Sequence, residues 1–258
     1  MKPVKIFTIA AVLIIAGLGA TAFINEKLLK TANNTGDKGF AVVELFTSEG
    51  CSSCPPADQL VAKIQKEDAD KPVYVLAFHV DYWNRLGWKD MFSSPDYSRR
   101  QEDYAAYLHL QSVYTPQAVV NGKTELVGSE ESTLRKAIQS NLAKAPAAML
   151  TINATTPNGN KTSITYSTEG TDKNTVLLIA LLQKNAQTKV ERGENQGRTL
   201  NHVQIVRKLQ KVDLSGSSGS VNVSLPNGFD GASWEIIGIL QNTSTGEITA
   251  AARIDQEL

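Results

Sequence analysis

Cysteine is nearly absent from this chain: 258 residues hold only Cys51 and Cys54, both in one Cys-x-x-Cys motif. That scarcity argues against a metal centre, because two thiols need two further ligands and His79, His109 and His202 are the only imidazoles. An excess of charge is missing as well. Lys and Arg number 26 against 26 Asp and Glu, with no Lys/Arg-rich block, so the electrostatic footprint of nucleic acid or another polyanion is lacking. No internal repeat and no long low-complexity segment occurs. The length leaves room for one large domain or two ordinary ones, each able to bury its own core.

What is present begins with Lys2 and Lys5 ahead of an almost uncharged apolar stretch, Ile6 to Ile24, the pattern of an export signal. Ala20-Thr21-Ala22 offers a small-x-small cleavage site. The stretch is also close to the ~20 residues that span a bilayer, and Lys27 and Lys30 follow it. Residues 1–30 are therefore expected to be a signal peptide or an N-terminal membrane anchor. Residues 31–38 form a polar tether, and the rest of the chain lies outside the cytoplasm, in the periplasm, secreted or membrane-anchored. In an oxidising compartment a Cys-x-x-Cys can persist as a disulfide.

The β-branched, apolar run through Phe40, Val42, Val43, Leu45 and Phe46 predicts a strand. Ser48-Glu49-Gly50 reads as a turn, and Ala57, Leu60, Val61 and Ile64 recur at helical spacing. The motif thus sits between a strand and a helix. Lys71-Pro72 ends the helix, and Val73 to Val80, apolar on both faces, predicts a strand inside a parallel sheet. Ser94-Pro95 supplies a cap and first residue for a helix to about Leu110. Asn121-Gly122-Lys123 between two short apolar runs predicts a hairpin, and Ser129 caps a last helix that Pro146 terminates. From Met149 onward the pattern changes to short alternating runs separated by polar turns, without helical period. Residues 39–146 and 147–258 are accordingly expected to be two domains, the second an all-β, sandwich-like one.

The order strand, Cys-x-x-Cys, helix, strand, inserted helix, Thr-Pro, hairpin, helix resembles the thioredoxin fold over about Lys38 to Ala145. More specifically, four segments resemble an exported bacterial family catalogued as a domain of unknown function: VELFTSEGCSSCPPAD (Val43 to Asp58), HVDYWNRLGWKD (His79 to Asp90), YTPQAVVNG (Tyr114 to Gly122) and RGENQGRTLNHVQIVR (Arg192 to Arg207). The expected fold is therefore an α/β thioredoxin-like domain followed by an all-β sandwich-like domain. The resemblance also implies that Thr115-Pro116 is a cis peptide lying opposite the dithiol, where backbone docks an extended substrate.

A cysteine at a helix N-terminus faces unpaired N–H groups and the positive end of the dipole, which stabilise its thiolate. Cys51 is accordingly expected to be the nucleophile and Cys54 the resolving thiol of a thiol-disulfide oxidoreductase. The substrate would be a protein or small thiol or disulfide, no cofactor is called for, and the only membrane contact would come from an uncleaved N-terminal segment. The alternative is a non-catalytic envelope binding or scaffold protein in which Cys51 and Cys54 form a staple. Two departures from familiar thioredoxins bear on that choice: Ser52-Ser53 between the cysteines, and Gly50 where an aromatic often precedes the nucleophile. His79 and Asp81, at the end of the second strand, are candidates for proton transfer or for holding the next loop. Tyr82, Trp83, Trp88 and Trp234 read as core or interface aromatics. Glu191 to Arg198, dense in charge and glycine, is expected to pack near the dithiol, to bind a polar ligand, or to be a solvated loop.

Overall fold

β1 (Ala41–Thr47) and β2 (Val73–His79) pair in parallel, and every residue of both is buried. This pair is the centre of the molecule. The structure, a computed structural model, describes residues 39–254 except Thr156. The expected signal peptide or anchor and the tether lie outside the described residues, and no helix among those described is long and apolar enough to cross a membrane.

α1 (Pro55–Glu67) connects β1 to β2 and buries Ala57, Leu60, Val61 and Ile64, the stripe that its periodicity predicts. α2 (Pro95–Tyr107) starts where Ser94 accepts the Asp96 N–H, with Pro95 in the first turn. β3 (Gln117–Val120) and β4 (Thr124–Val127) form the expected hairpin, and β3 runs antiparallel to β1. α3 (Glu131–Leu142) follows; Glu130 occupies its N-cap position in place of the expected Ser129, with no side-chain cap. The later strands are β5 (Met149–Ala154), β6 (Lys161–Glu169), β7 (Thr175–Lys189), β8 (Thr199–Asp213), β9 (Ser218–Ser224), β10 (Trp234–Asn242) and β11 (Ile248–Arg253).

The fold-class expectation is overturned by how these strands combine. Four of them join the first sheet, which becomes eight-stranded and mixed in the order β11-β10-β7-β8-β2-β1-β3-β4, and only β5-β6-β9 stand apart as a second sheet. Among the described residues the protein is mostly β, with three α-helices, and is not a thioredoxin-like α/β domain followed by a sandwich. The strand positions were legible because alternation is local. Their partners were not, because β2 offered a free edge and β8 occupies it through the parallel pair Ala77 and Ile205.

Side-chain alternation then sorts three cores. Val42 and Phe46 of β1 share one face with Leu178, Ala180 and Leu182 of β7, under Tyr97 and Tyr104 of α2. On the opposite face α1 and α3 cover β1, while the small sheet covers Leu177, Ile179 and Leu181. β7 is therefore buried on both faces at its start, as an uninterrupted apolar run requires.

The large sheet also curls until its ends meet. Ile248 at the start of β11 donates its N–H to Asn121 O in the β3–β4 turn (3.0 Å). The approach leaves no room for a side chain at Gly122, where a Cβ would lie 1.9 Å from Gly246 O. Glu44, buried on β1, is held by Arg100 through two bonds (2.6 and 2.8 Å) and by Tyr104 (2.6 Å), and Arg100 and Tyr104 both bond Gln241 of β10. Replacing one member of a buried, hydrogen-bonded ion pair strands the other. Arg100→Met is expected to lower unfolding free energy by roughly 3–5 kcal/mol, read from urea denaturation; a loss below 1 kcal/mol would show that Glu44 finds other partners.

Candidate functional site: a covered disulfide

The site grows out of the C-terminal end of β1. The Cys51 N–H bonds Ser48 O (3.2 Å), the Cys54 N–H bonds Cys51 O (3.3 Å), and the Ala57 and Asp58 N–H groups bond Cys54 O (2.8 and 3.2 Å). Two successive turns thus lead into α1, and Cys54 occupies its N-cap position, followed by Pro55 and Pro56, whose missing N–H groups would have had no intrahelical partner. Cys51, expected at the helix start, sits one turn earlier. The two are joined as a disulfide with Cα atoms 5.4 Å apart. Both cysteines are 0% exposed, whereas Ser52 and Ser53 face solvent.

Thr115-Pro116 is cis. The Ser53 hydroxyl links this peptide to the cysteines, lying 3.4 Å from Cys51 Sγ and donating to Thr115 O at 3.5 Å. Three contacts grip the segment: Gln101 Nε2 on Tyr114 O (2.7 Å), the Gly128 N–H on Pro116 O (2.9 Å), and Trp83 Nε1 on Thr115 Oγ1 (2.8 Å). Trp83 also explains Gly50. A Cβ there would come within 3.0 Å of Trp83 Cβ, so the aromatic missing from position 50 is supplied from the loop after β2.

Two histidines and three carboxylates adjoin the dithiol loop, all buried. His79 Nδ1 lies 2.6 Å from Asp90 Oδ2, and Asp90 also accepts the Glu49 and Phe92 N–H groups (both 2.9 Å). His202 packs edge-on against His79, ring centres 4.9 Å apart, with its Nε2 3.3 Å from Glu49 Oε1. Glu49 Oε2 accepts from Trp88 Nε1 (2.7 Å), and Asp58 Oδ2 accepts from Thr47 (3.2 Å). His79 Nε2 and Glu49 Oε1 find no hydrogen-bond partner among the described residues.

Burial and neighbouring charge compete at Asp58, His79 and Asp90. Burial pushes the Asp58 carboxyl above the ordinary range, against the pull of His79, His202 and the Thr47 hydroxyl. Burial alone would lower His79, but the Asp90 charge and hydrogen bond outweigh it and raise its pKa. Asp90 is lowered in turn, His79 and the two backbone N–H groups together overcoming its desolvation. No group of three or more His, Cys, Asp or Glu among the described residues is arranged to hold a metal.

Of the candidates read from sequence, His79 belongs to this group and Asp81 does not. Asp81 accepts from Ser98 Oγ (2.5 Å), which itself accepts the Asp81 N–H, so it ties the post-β2 loop to α2. Sequence reasoning missed Glu49, Asp58, Asp90, His202 and Asn195. A usable signal existed for Asp58, an acid on the first turn of a helix whose neighbouring positions are core. His202 carried none, since its partners arrive from other strands. The loop Glu191 to Arg198 lies on the dithiol. Glu194 Oε2 accepts the Ser52 N–H (3.1 Å), and buried Asn195 donates through Nδ2 to Glu49 O (2.9 Å) and Cys51 O (2.8 Å).

Fold and site together define a mixed-sheet protein with a buried Cys-x-x-Cys disulfide set among ionisable groups. The chain belongs to the family described as protein of unknown function DUF1223, whose profile matches residues 42–241. Among solved structures it is similar to protein AGR_C_4864 from Agrobacterium tumefaciens, at 26% identity and a TM-score of 0.64, over 84% of this chain and 95% of that one. HBP35 of Porphyromonas gingivalis shares the fold, at 16% identity and a TM-score of 0.58, over 84% of this chain and 75% of that one. No curated protein matches the sequence.

The His79–Asp90 pair gives stability a definite pH dependence. A raised histidine contributes fully below its unfolded pKa of about 6.5 and loses that contribution as pH climbs through the folded value. The lowered Asp90 contributes above about pH 4 and loses its share as pH falls through its folded value. Unfolding free energy should therefore decline as pH rises from 6.5. Asp90→Asn should flatten or reverse that decline, because burial is then opposed only by the weaker pull of Asp58 and Glu49 on His79. Urea titrations between pH 5 and 9 check this, and an identical slope in both proteins would refute the assignment.

Proposed function

We propose that the protein carries out thiol–disulfide exchange outside the cytoplasm, with Cys51 as the sulfur that forms mixed disulfides. The observation that carries this reading is the burial of Glu49, Asp58, His79, Asp90 and His202 around the dithiol loop. Buried ionisable groups cost stability. A disulfide between residues three apart recovers little of it, since it closes so short a loop of the unfolded chain. A staple needs no such surroundings; a dithiol that must gain and lose protons does. The extracytoplasmic setting is supported by the basic, then apolar, Lys2 to Ile24 segment.

In the oxidising direction a substrate thiolate attacks Sγ of Cys51. A mixed disulfide forms as the Cys51–Cys54 bond breaks, and the electron pair leaves on Cys54. A second substrate thiolate then attacks its own sulfur in the mixed disulfide and displaces Cys51. The substrate dithiol ends as a disulfide, the protein as a dithiol, and the two substrate protons pass to Cys54 and Cys51. Reversal of the same steps reduces a disulfide. Asp58, whose pKa is raised by burial and whose N–H bonds Cys54 O, takes the role of proton donor to Cys54. His79 and Asp90 set the field around it. The Thr115 carbonyl, reached by Ser53, serves as the backbone against which an extended substrate docks.

The zero exposure of both cysteines favours a second reading, a structural disulfide in a non-catalytic envelope binding protein. Trapping separates the two. Cys54→Ser should accumulate mixed disulfides on Cys51 in cells, and the wild-type couple should equilibrate with glutathione buffers. An absence of adducts, with a reduction potential below about −300 mV, the range of structural disulfides, would establish the staple.

A further inference from the structure

The loop from Val190 to Arg198 is built as a distinct part, and it bonds the backbone on both sides of the Cys51 side chain. Asn195, 0% exposed, sits 144 residues beyond Cys51 and spends both hydrogens of its amide on Glu49 O and Cys51 O. Arg198 Nη1 donates to its Oδ1 (2.7 Å), which fixes the amide in the orientation that presents Nδ2 to those carbonyls. The loop around it is closed on itself by the Gly197 N–H on Val190 O (2.8 Å) and the Val190 N–H on Arg198 O (2.9 Å). Glu194, next along, is exposed, yet its carboxylate accepts the Ser52 N–H, the amide beside Cys51. Two hydrogen bonds from Ser52 hold that carboxyl below its ordinary range, so it is an anion at neutral pH.

We propose that Asn195 and Glu194 are positioning residues for exchange at Cys51, forming a lid that must lift before the sulfur reacts. This rests on the exchange reading above. With the lid down, Asn195 holds the Cys51 carbonyl and keeps the sulfur covered. Glu194 occupies the amide that a Cys51 thiolate would use and sets a negative charge beside the place where that thiolate forms. Closure therefore favours the disulfide, and lifting exposes Sγ while returning the Ser52 N–H to the nascent thiolate. Ser52 and Ser53 are already exposed, so the moving part is the loop from Val190 to Arg198, with no strand to be unpaired beneath it.

The test uses the oxidised full-length protein and dithiothreitol, a chemical reductant that needs no biological partner. Asn195→Ala should speed native-state reduction about tenfold or more, the effect of losing two buried hydrogen bonds. Glu194→Ala should speed it about threefold, as expected for one exposed charge. Glu194→Ala should also lower the pH midpoint of Cys51 alkylation by iodoacetamide in the reduced Cys54→Ser background, a shift that loosened packing alone would not produce. Unchanged reduction rates and an unchanged alkylation profile overturn the lid. Should Asn195→Ala fail to fold, the exposed Glu194→Ala decides alone. A lid effect without trapped partners in cells refutes the exchange reading and leaves the lid; trapped partners without a lid effect refute only the lid.

Discussion

The seam between β2 and β8 is the constraint on which the rest depends. It is narrow, one parallel pair between Ala77 and Ile205, yet it carries the β7–β8 hairpin onto the edge of the first sheet. Both strands of that hairpin run 15 residues, and their far ends, Asn185–Lys189 against Thr199–Val203, extend beyond the seam. The overshoot delivers His202 against His79 and sets the loop from Val190 to Arg198 on the cysteines. Gln204, beside Ile205, adopts a φ of 50°, in the left-handed region that non-glycine residues avoid. Its side chain donates to Glu235 (2.6 Å), so β8 is tied to β10 beside the seam.

Buried charge appears in two forms, and the contrast separates architecture from chemistry. Glu44, Arg100, Tyr104 and Gln241 satisfy one another across strands distant in sheet order, and each bond is directed. Such a group resembles a rivet: it fixes which strands meet α2, at a desolvation cost that its hydrogen bonds offset. The group at the dithiol is different. It holds two imidazoles and three carboxylates, leaves His79 Nε2 without a hydrogen-bond partner among the described residues, and shifts Asp58 and Asp90 in opposite directions. Groups with displaced pKa values and spare hydrogen-bonding capacity are suited to exchanging protons.

Much of this was legible locally. The strand and helix around Cys51, the β3–β4 hairpin at Asn121-Gly122, the Ser94-Pro95 helix start and the approximate places of the later strands all follow from periodicity and turn chemistry, which act over a few residues. The four segments that carried the family resemblance also supply the site. Glu49 and Asp58 come from the first, His79 and Asp90 from the second, Thr115 and Pro116 from the third, and Glu194, Asn195 and His202 from the fourth. Their roles were not legible. Asn195 reads as a polar residue in a glycine-rich loop, and only its bonds to backbone carbonyls 146 and 144 positions earlier give it meaning.

By itself, then, the sequence determined the disulfide pair, the segment that precedes a helix there, and the alternation that makes each strand one- or two-faced. The tertiary structure decided which strands share a sheet, whether the sulfurs are covered, and which charges meet. The reason is physical. Alternation states that a strand has an apolar face and a free edge but not what will cover them, and β2 could have been left as an edge. Once β8 takes that place, the second half of the chain ceases to be a separate sandwich and supplies both the loop bonded to the Cys51 carbonyl and the imidazole that packs on His79.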